Sequence, residues 1–120
     1  MSLGKNMTAK NSTTGKIIKP AYGEKITVNA VTLASLCAEN KITHIDLLSI
    51  DVEGAELSVI KGGIDVIKKN KPVIYIELLR KWGREFGYHP QEVLDLLFVH
   101  GYRCFFSGKE HELVEIKEID

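Results

Sequence analysis

The sequence predicts an α/β fold: a small parallel sheet with crossover helices, closing in an antiparallel hairpin. Three observations carry this. The runs Ile45-Asp-Leu-Leu-Ser-Ile50 and Val73-Ile-Tyr-Ile-Glu77 are short and mostly apolar, the pattern of strands buried on both faces. A helix-length segment, 55–71, separates them, and strands joined by such a crossover run parallel with a right-handed connection. Last, 102–106 and 112–117 flank Ser107-Gly-Lys-Glu110, the spacing of a hairpin.

At 120 residues the chain has room for one core and not for two. Sixteen basic residues balance sixteen acidic ones, which argues against a general binder of nucleic acid or acidic membranes, since both need a cationic excess. No apolar run approaches the ~18 residues of a membrane span, and no secretory leader is visible. The expected location is cytoplasmic. Cys37 and Cys104 lie far apart without ligand spacing, so they read as buried thiols in a reducing compartment, not as a disulfide or zinc site.

In chain order, residues 1–23 are polar and rich in Gly, Ser, Thr and Asn and read as a flexible arm. Residues 24–120 form the domain. A weak strand over 25–31 leads to Thr32, an N-cap for a helix over 33–39 whose Leu33, Leu36 and Cys37 share a face. The acid-tipped strand follows. Gly54 lets the chain turn sharply, and the helix from Ala55 directs Leu57, Val59 and Ile60 to the sheet. Gly62-Gly63 splits that helix. Ile64, Val66 and Ile67 resume the stripe, and Lys68-Lys69-Asn70-Lys71 suits the negative end of the helix dipole. The segment 78–89 mixes aromatic and basic residues without periodicity and reads as a loop over the carboxyl edge of the sheet. Pro90 opens the last helix, with Val93, Leu94, Leu97 and Phe98 as its apolar face and Gly101 just beyond its end.

Open α/β sheets bind ligands at the carboxyl ends of their strands. Asp51 and Glu53 stand two apart at one such end, so on extended backbone they leave the same side. Glu77 ends the neighbouring strand. These three are the candidate site residues. Each also has a plainer reading: Glu53 as a charge at a helix N-terminus, Glu77 as a strand-end ion pair. Glu56, in the first helical turn, is favourable there without any function. The histidines at 44, 89, 100 and 111 show no ligand spacing, and His89, nearest the edge, reads as an exposed loop residue. Trp82, Phe86 and Tyr88 either shape a pocket or pack the loop onto the sheet.

The stretch Ile45-Asp-Leu-Leu-Ser-Ile-Asp-Val-Glu-Gly-Ala-Glu-Leu-Ser-Val-Ile-Lys-Gly62, followed by Lys71-Pro-Val-Ile-Tyr-Ile-Glu77, resembles the FkbM family of S-adenosylmethionine-dependent methyltransferases. Val31-Thr-Leu-Ala-Ser-Leu36 is similar to that family's lead-in, with Ala34 in place of the usual acid. The resemblance covers roughly 26–106. It implies a class I methyltransferase sheet, Rossmann-like and here partial, with the two apolar strands as its fourth and fifth and the hairpin as its last two. Gly15, Gly23, Gly62 and Gly63 form no G-x-G loop after a strand, so the resemblance is to the C-terminal half of the domain.

By that resemblance the cofactor is S-adenosylmethionine, and the reaction is O-methylation of a hydroxyl on a small molecule or sugar, with Asp51, Glu53 and Glu77 catalytic. A divalent metal on Asp51 and Glu53 would orient and acidify the acceptor. The expected partners are the acceptor, and a second copy or a separate N-terminal half. Two other readings stay open: a non-catalytic, truncated domain that dimerises through its open sheet edge, and a metal-dependent hydrolase built on the carboxylates.

Overall fold

A computed structural model describes residues 16–17 and 26–120 of the chain. Strand β1 (Lys16–Ile17) pairs antiparallel with β2 (Val28–Asn29). Helix α1 (Leu33–Glu39) follows, then β3 (Leu47–Ile50), α2 (Glu56–Gly62), α3 (Ile64–Asn70) and β4 (Val73–Ile76). Helices α4 (Arg80–Phe86) and α5 (Pro90–Val99) lead to the hairpin of β5 (Cys104–Ser107) and β6 (Leu113–Ile116). Apart from Lys16–Ile17, the segment read as a flexible arm lies outside the described residues.

The local signals act as their chemistry dictates. The Thr32 hydroxyl accepts from the Ser35 N–H at 3.0 Å and starts α1, satisfying one of the donors a helix leaves open. Gly63 separates α2 from α3. A Cβ there would meet the Leu33 side chain at 2.6 Å, so the glycine that breaks the helix also lets α1 approach. Pro90 is the first residue of α5, and a reciprocal box closes in front of it. His89 Nδ1 accepts from the Gln91 N–H at 3.0 Å, and Glu92 Oε2 accepts from the His89 N–H at 2.9 Å. His89 is therefore a half-buried helix cap, not an exposed loop residue.

Strands β3 and β4 are parallel and in register, with Leu47 opposite Val73 and Ile50 opposite Ile76. The crossover between them is the α2–α3 pair. Its Val59, Ile60 and Ile67 are buried with Ile50, Val52, Val93 and Leu97 in one core, onto which Leu48, Ile74 and Ile76 pack. Ile60, Ile67 and Val93 have no exposed surface; burying a side chain of that size stabilises by about 1.5–3 kcal/mol.

Three expectations change. Among the described residues the strands are covered on one face only: Leu47, Val73 and Tyr75 remain 61%, 69% and 73% exposed on the other. The hairpin forms a separate two-stranded sheet and does not hydrogen-bond to β4; the Tyr102 hydroxyl, donating to Pro72 O at 2.9 Å, ties its base to the start of β4. The segment read as a loop over 78–89 contains a helix, α4. Its Gly83 is buried, and a Cβ there would lie 2.7 Å from Tyr88 O. This is a helix held by close packing and by the left-handed Gly87 at its end (φ 77°), not by an apolar stripe.

Candidate active site at the carboxyl end of the parallel strands

Because β3 and β4 are parallel and in register, they finish together. The Glu77 N–H donates to Ile50 O at 3.2 Å, extending the ladder one residue past both strands. Asp51 and Glu77 are thus the next residues on neighbouring strands, and both are exposed.

After Asp51 the chain turns within four residues. Val52 enters the core. Glu53 then takes a left-handed conformation (φ 49°), and Gly54 follows at φ 112°. A non-glycine residue at positive φ costs on the order of 1 kcal/mol, so something must hold this turn. Glu56 does. It is only 3% exposed, and its carboxylate reaches back to accept from the Gly54 N–H at 2.9 Å and the Val52 N–H at 3.3 Å. The Tyr88 hydroxyl donates to the same carboxylate at 3.1 Å. Burial, then the charge of Glu56 and this bond, push the Tyr88 phenol well above its ordinary range, because each disfavours a phenolate.

Helix α4 closes over the turn from the other side. A Cβ on Gly54 would meet the Phe86 ring at 2.5 Å and Trp82 O at 2.9 Å. Glycine is required there twice, by φ and by space. Of the three aromatics, the Phe86 ring packs on the turn, Trp82 reaches it through its backbone carbonyl, and Tyr88 braces it through Glu56.

The expected carboxylates are therefore divided. Asp51 and Glu77 share one edge in register, while Glu53 sits inside the turn, half-buried. Glu56 is the carboxylate in the first turn of α2, as read from the sequence, and it is the one whose bonds hold the turn. Its carboxylate at the first residue of a helix was visible in sequence, whereas Tyr88, thirty-two positions away, was not. Among the described residues no group of three His, Cys, Asp or Glu side chains is arranged to hold a metal ion. Cys37 and Cys104 are free thiols, and burial raises both above the ordinary thiol range.

The Methyltransferase FkbM domain model matches residues 3–104. The chain belongs to the FkbM methyltransferase family. No curated protein and no solved structure matches it. The match includes the acid-tipped strand, the braced turn and β4, so the FkbM domain contains every residue of this edge. It also takes in most of the segment read as an arm.

Methyltransferase chemistry implies S-adenosylmethionine, whose methionyl end carries an ammonium, a carboxylate and a sulfonium. Exposed carboxylates at 51 and 77 match that cationic end, since ionised carboxylates only accept hydrogen bonds. The turn's backbone donors at Val52 and Gly54 face Glu56 instead. Hollows open on the surface of the described residues. One of about 330 Å³ lies between α4 and α5, lined by Arg80, Arg84, Tyr88 and His89. Another of about 850 Å³ lies between α5 and the C-terminal residues. Neither is lined by Asp51 or Glu77; at the strand ends these two carboxylates fit the cofactor's ammonium and sulfonium. No helix among the described residues is long and apolar enough to cross a membrane.

Proposed function

We propose that the chain is a class I, Rossmann-like methyltransferase domain that transfers a methyl group from S-adenosylmethionine to a hydroxyl of a small molecule or sugar. The observation that carries this is the pairing of Asp51 and Glu77 in register at the carboxyl end of two parallel strands, where open α/β sheets take their ligands, within a chain of the FkbM methyltransferase family. Asp51, exposed and next to the braced turn, would accept from the ammonium of the cofactor or from the acceptor hydroxyl. Glu77 would hold the acceptor from the adjoining strand. Glu53 would contribute its charge from within the turn.

S-adenosylmethionine supplies an electrophilic methyl group when bound. The chain's part is positioning and proton acceptance: a hydroxyl oriented toward the donor and relieved of its proton attacks faster. Glu56 and Tyr88 keep the turn, and with it Asp51, in one conformation.

Calorimetric titration of S-adenosylmethionine and of its demethylated product tests the reading. Micromolar binding is expected, weakened at least about tenfold in Asp51→Asn, a loss of about 1.4 kcal/mol. No binding by the wild-type chain, or an unchanged affinity in the variant, would overturn it.

A further inference from the structure

The hollow of about 330 Å³ between α4 and α5 is lined by Arg80, Arg84, Tyr88, His89 and Glu92, a wall rich in hydrogen-bond donors. Arg80 and Arg84 stand four apart on α4, both exposed. Like charges at that spacing on a helix repel. Other cations have partners: Lys81 lies 4.7 Å from the centre of the Trp82 ring, and Arg103 is paired with Glu115 at 2.8 Å. Among the described residues Arg80 and Arg84 enter no ion pair or ring contact. His89 Nδ1 accepts from the Gln91 N–H, which leaves the proton of the neutral ring on Nε2 as a further donor. The Tyr88 hydroxyl is given to Glu56, and the Glu92 carboxylate accepts from the His89 N–H. We propose that this hollow holds the phosphate group of a phosphorylated methyl acceptor, with Arg80 and Arg84 as its cations, an assignment that rests on methyltransferase activity at the strand ends.

Charge and geometry select a phosphate. A guanidinium presents a planar fork of donors that engages two oxygens at once. A carboxylate has oxygens for one such fork. A phosphate monoester has three acceptor oxygens and a charge of about −1.5 to −2 at neutral pH, enough for both arginines. Bound between them, it replaces their mutual repulsion with two charge-assisted contacts. The volume lies at the lower end of the roughly 300–1,000 Å³ of ligand pockets, room for the phosphate and a short part of the molecule that carries it. The position fits an acceptor. Helix α4, which carries both arginines, packs through Phe86 and Trp82 O on Gly54, in the turn behind Asp51. Tyr88 forms one wall of the hollow and braces that same turn through Glu56. Cations on α4 and a carboxylate at the strand end sort the two ends of an acceptor by charge, the phosphate to Arg80 and Arg84 and the hydroxyl to Asp51.

NMR titration with sodium phosphate at constant ionic strength, without S-adenosylmethionine, should show saturable shifts of amides within 80–92 and a Kd of about 1 mM or tighter. Sodium acetate should bind at least about tenfold more weakly. Arg80→Gln and Arg84→Gln, changes at exposed positions, should each weaken phosphate binding about tenfold, with an unaltered circular dichroism spectrum and unaltered affinity for S-adenosylmethionine. Lys109→Gln, which removes an exposed charge between β5 and β6, should change nothing. Shifts that do not saturate, acetate as tight as phosphate, or an equal loss in Lys109→Gln overturns the proposal. If S-adenosylmethionine still binds in that case and Asp51→Asn still weakens it, methyl transfer at the strand ends stands without this subsite. Phosphate binding at 80–92 in a chain that never binds S-adenosylmethionine fails the methyltransferase reading itself, and the assignment to an acceptor is overturned with it.

Discussion

Tyr88 and Glu56 meet through a 3.1 Å hydrogen bond across thirty-two residues, and that contact joins the segment between α4 and α5 to the start of α2. The same carboxylate holds the Gly54 and Val52 N–H groups. One buried side chain thus satisfies three donors from two parts of the chain, and the turn behind Asp51 depends on it. Removing it strands those donors in the core, where each unsatisfied group costs about 1–3 kcal/mol. Glu56→Ala should therefore lose about 3 kcal/mol in urea unfolding. Glu56→Gln should lose about half of that, because the amide nitrogen cannot accept from the Gly54 N–H although the Tyr88 hydroxyl can reverse its role. Equal stability of Glu56→Ala and wild type would remove Glu56 from the account.

Tyr88→Phe removes one hydrogen bond and should cost about 1 kcal/mol near neutral pH. Its sharper signature is alkaline. The folded-state pKa of Tyr88 is raised by burial and by Glu56, so the unfolded chain releases the phenolic proton first. Stability from this group is complete below the ordinary tyrosine pKa of about 10 and declines as pH rises beyond it. Tyr102 is raised by burial as well and contributes the same slope to both proteins. The difference between wild type and Tyr88→Phe isolates Tyr88: the gap should narrow and then reverse as the pH passes about 10 to about 11. Parallel stability curves over that range would mean that the phenol is not held as described.

Gly54→Ala tests the other side of the turn. The methyl group would enter the Phe86 ring and crowd Trp82 O, and the residue would have to adopt φ 112°. Either demand alone costs on the order of 1–3 kcal/mol. The variant should lose at least about 2 kcal/mol, and Trp82 fluorescence should shift as α4 lifts from the turn. Gly87→Ala provides the comparison. Its φ is also positive, at 77°, yet nothing lies within 4 Å of the added Cβ, so it should cost only the conformational part, about 1 kcal/mol.

What could be read from the sequence followed from local chemistry. Apolar runs ending in acid located β3 and β4, and the helix-length gap between them made the pair parallel. Thr32, Pro90 and Gly101 marked helix ends because caps act through neighbours in the chain. Helix α4 was hidden because Gly83 weakens a helix locally and is tolerated only where Tyr88 and Pro90 pack against it. Glu56 was visible as a first-turn carboxylate, but its burial comes from Tyr88 and the turn, contacts that periodicity does not encode. The open face of β3–β4 was hidden for the opposite reason. Leu47, Val73 and Tyr75 have the composition of buried strand residues, and composition does not say which face of a strand the core covers.

The exposed and buried carboxylates should separate cleanly in a paired measurement. Asp51 and Glu77 are exposed, so replacing either by its amide changes little in the packed core. Asp51→Asn and Glu77→Gln should stay within about 0.5 kcal/mol of wild-type stability, in contrast to Glu56→Gln. The same two variants should weaken S-adenosylmethionine binding or methyl transfer if the strand ends are the site, because their charge faces the ligand and not the core. The pattern to look for is loss of binding without loss of stability at 51 and 77, and loss of stability at 56. If Asp51→Asn instead unfolds as readily as Glu56→Gln, Asp51 belongs to the structure of the turn. The site would then have to be sought elsewhere on the domain.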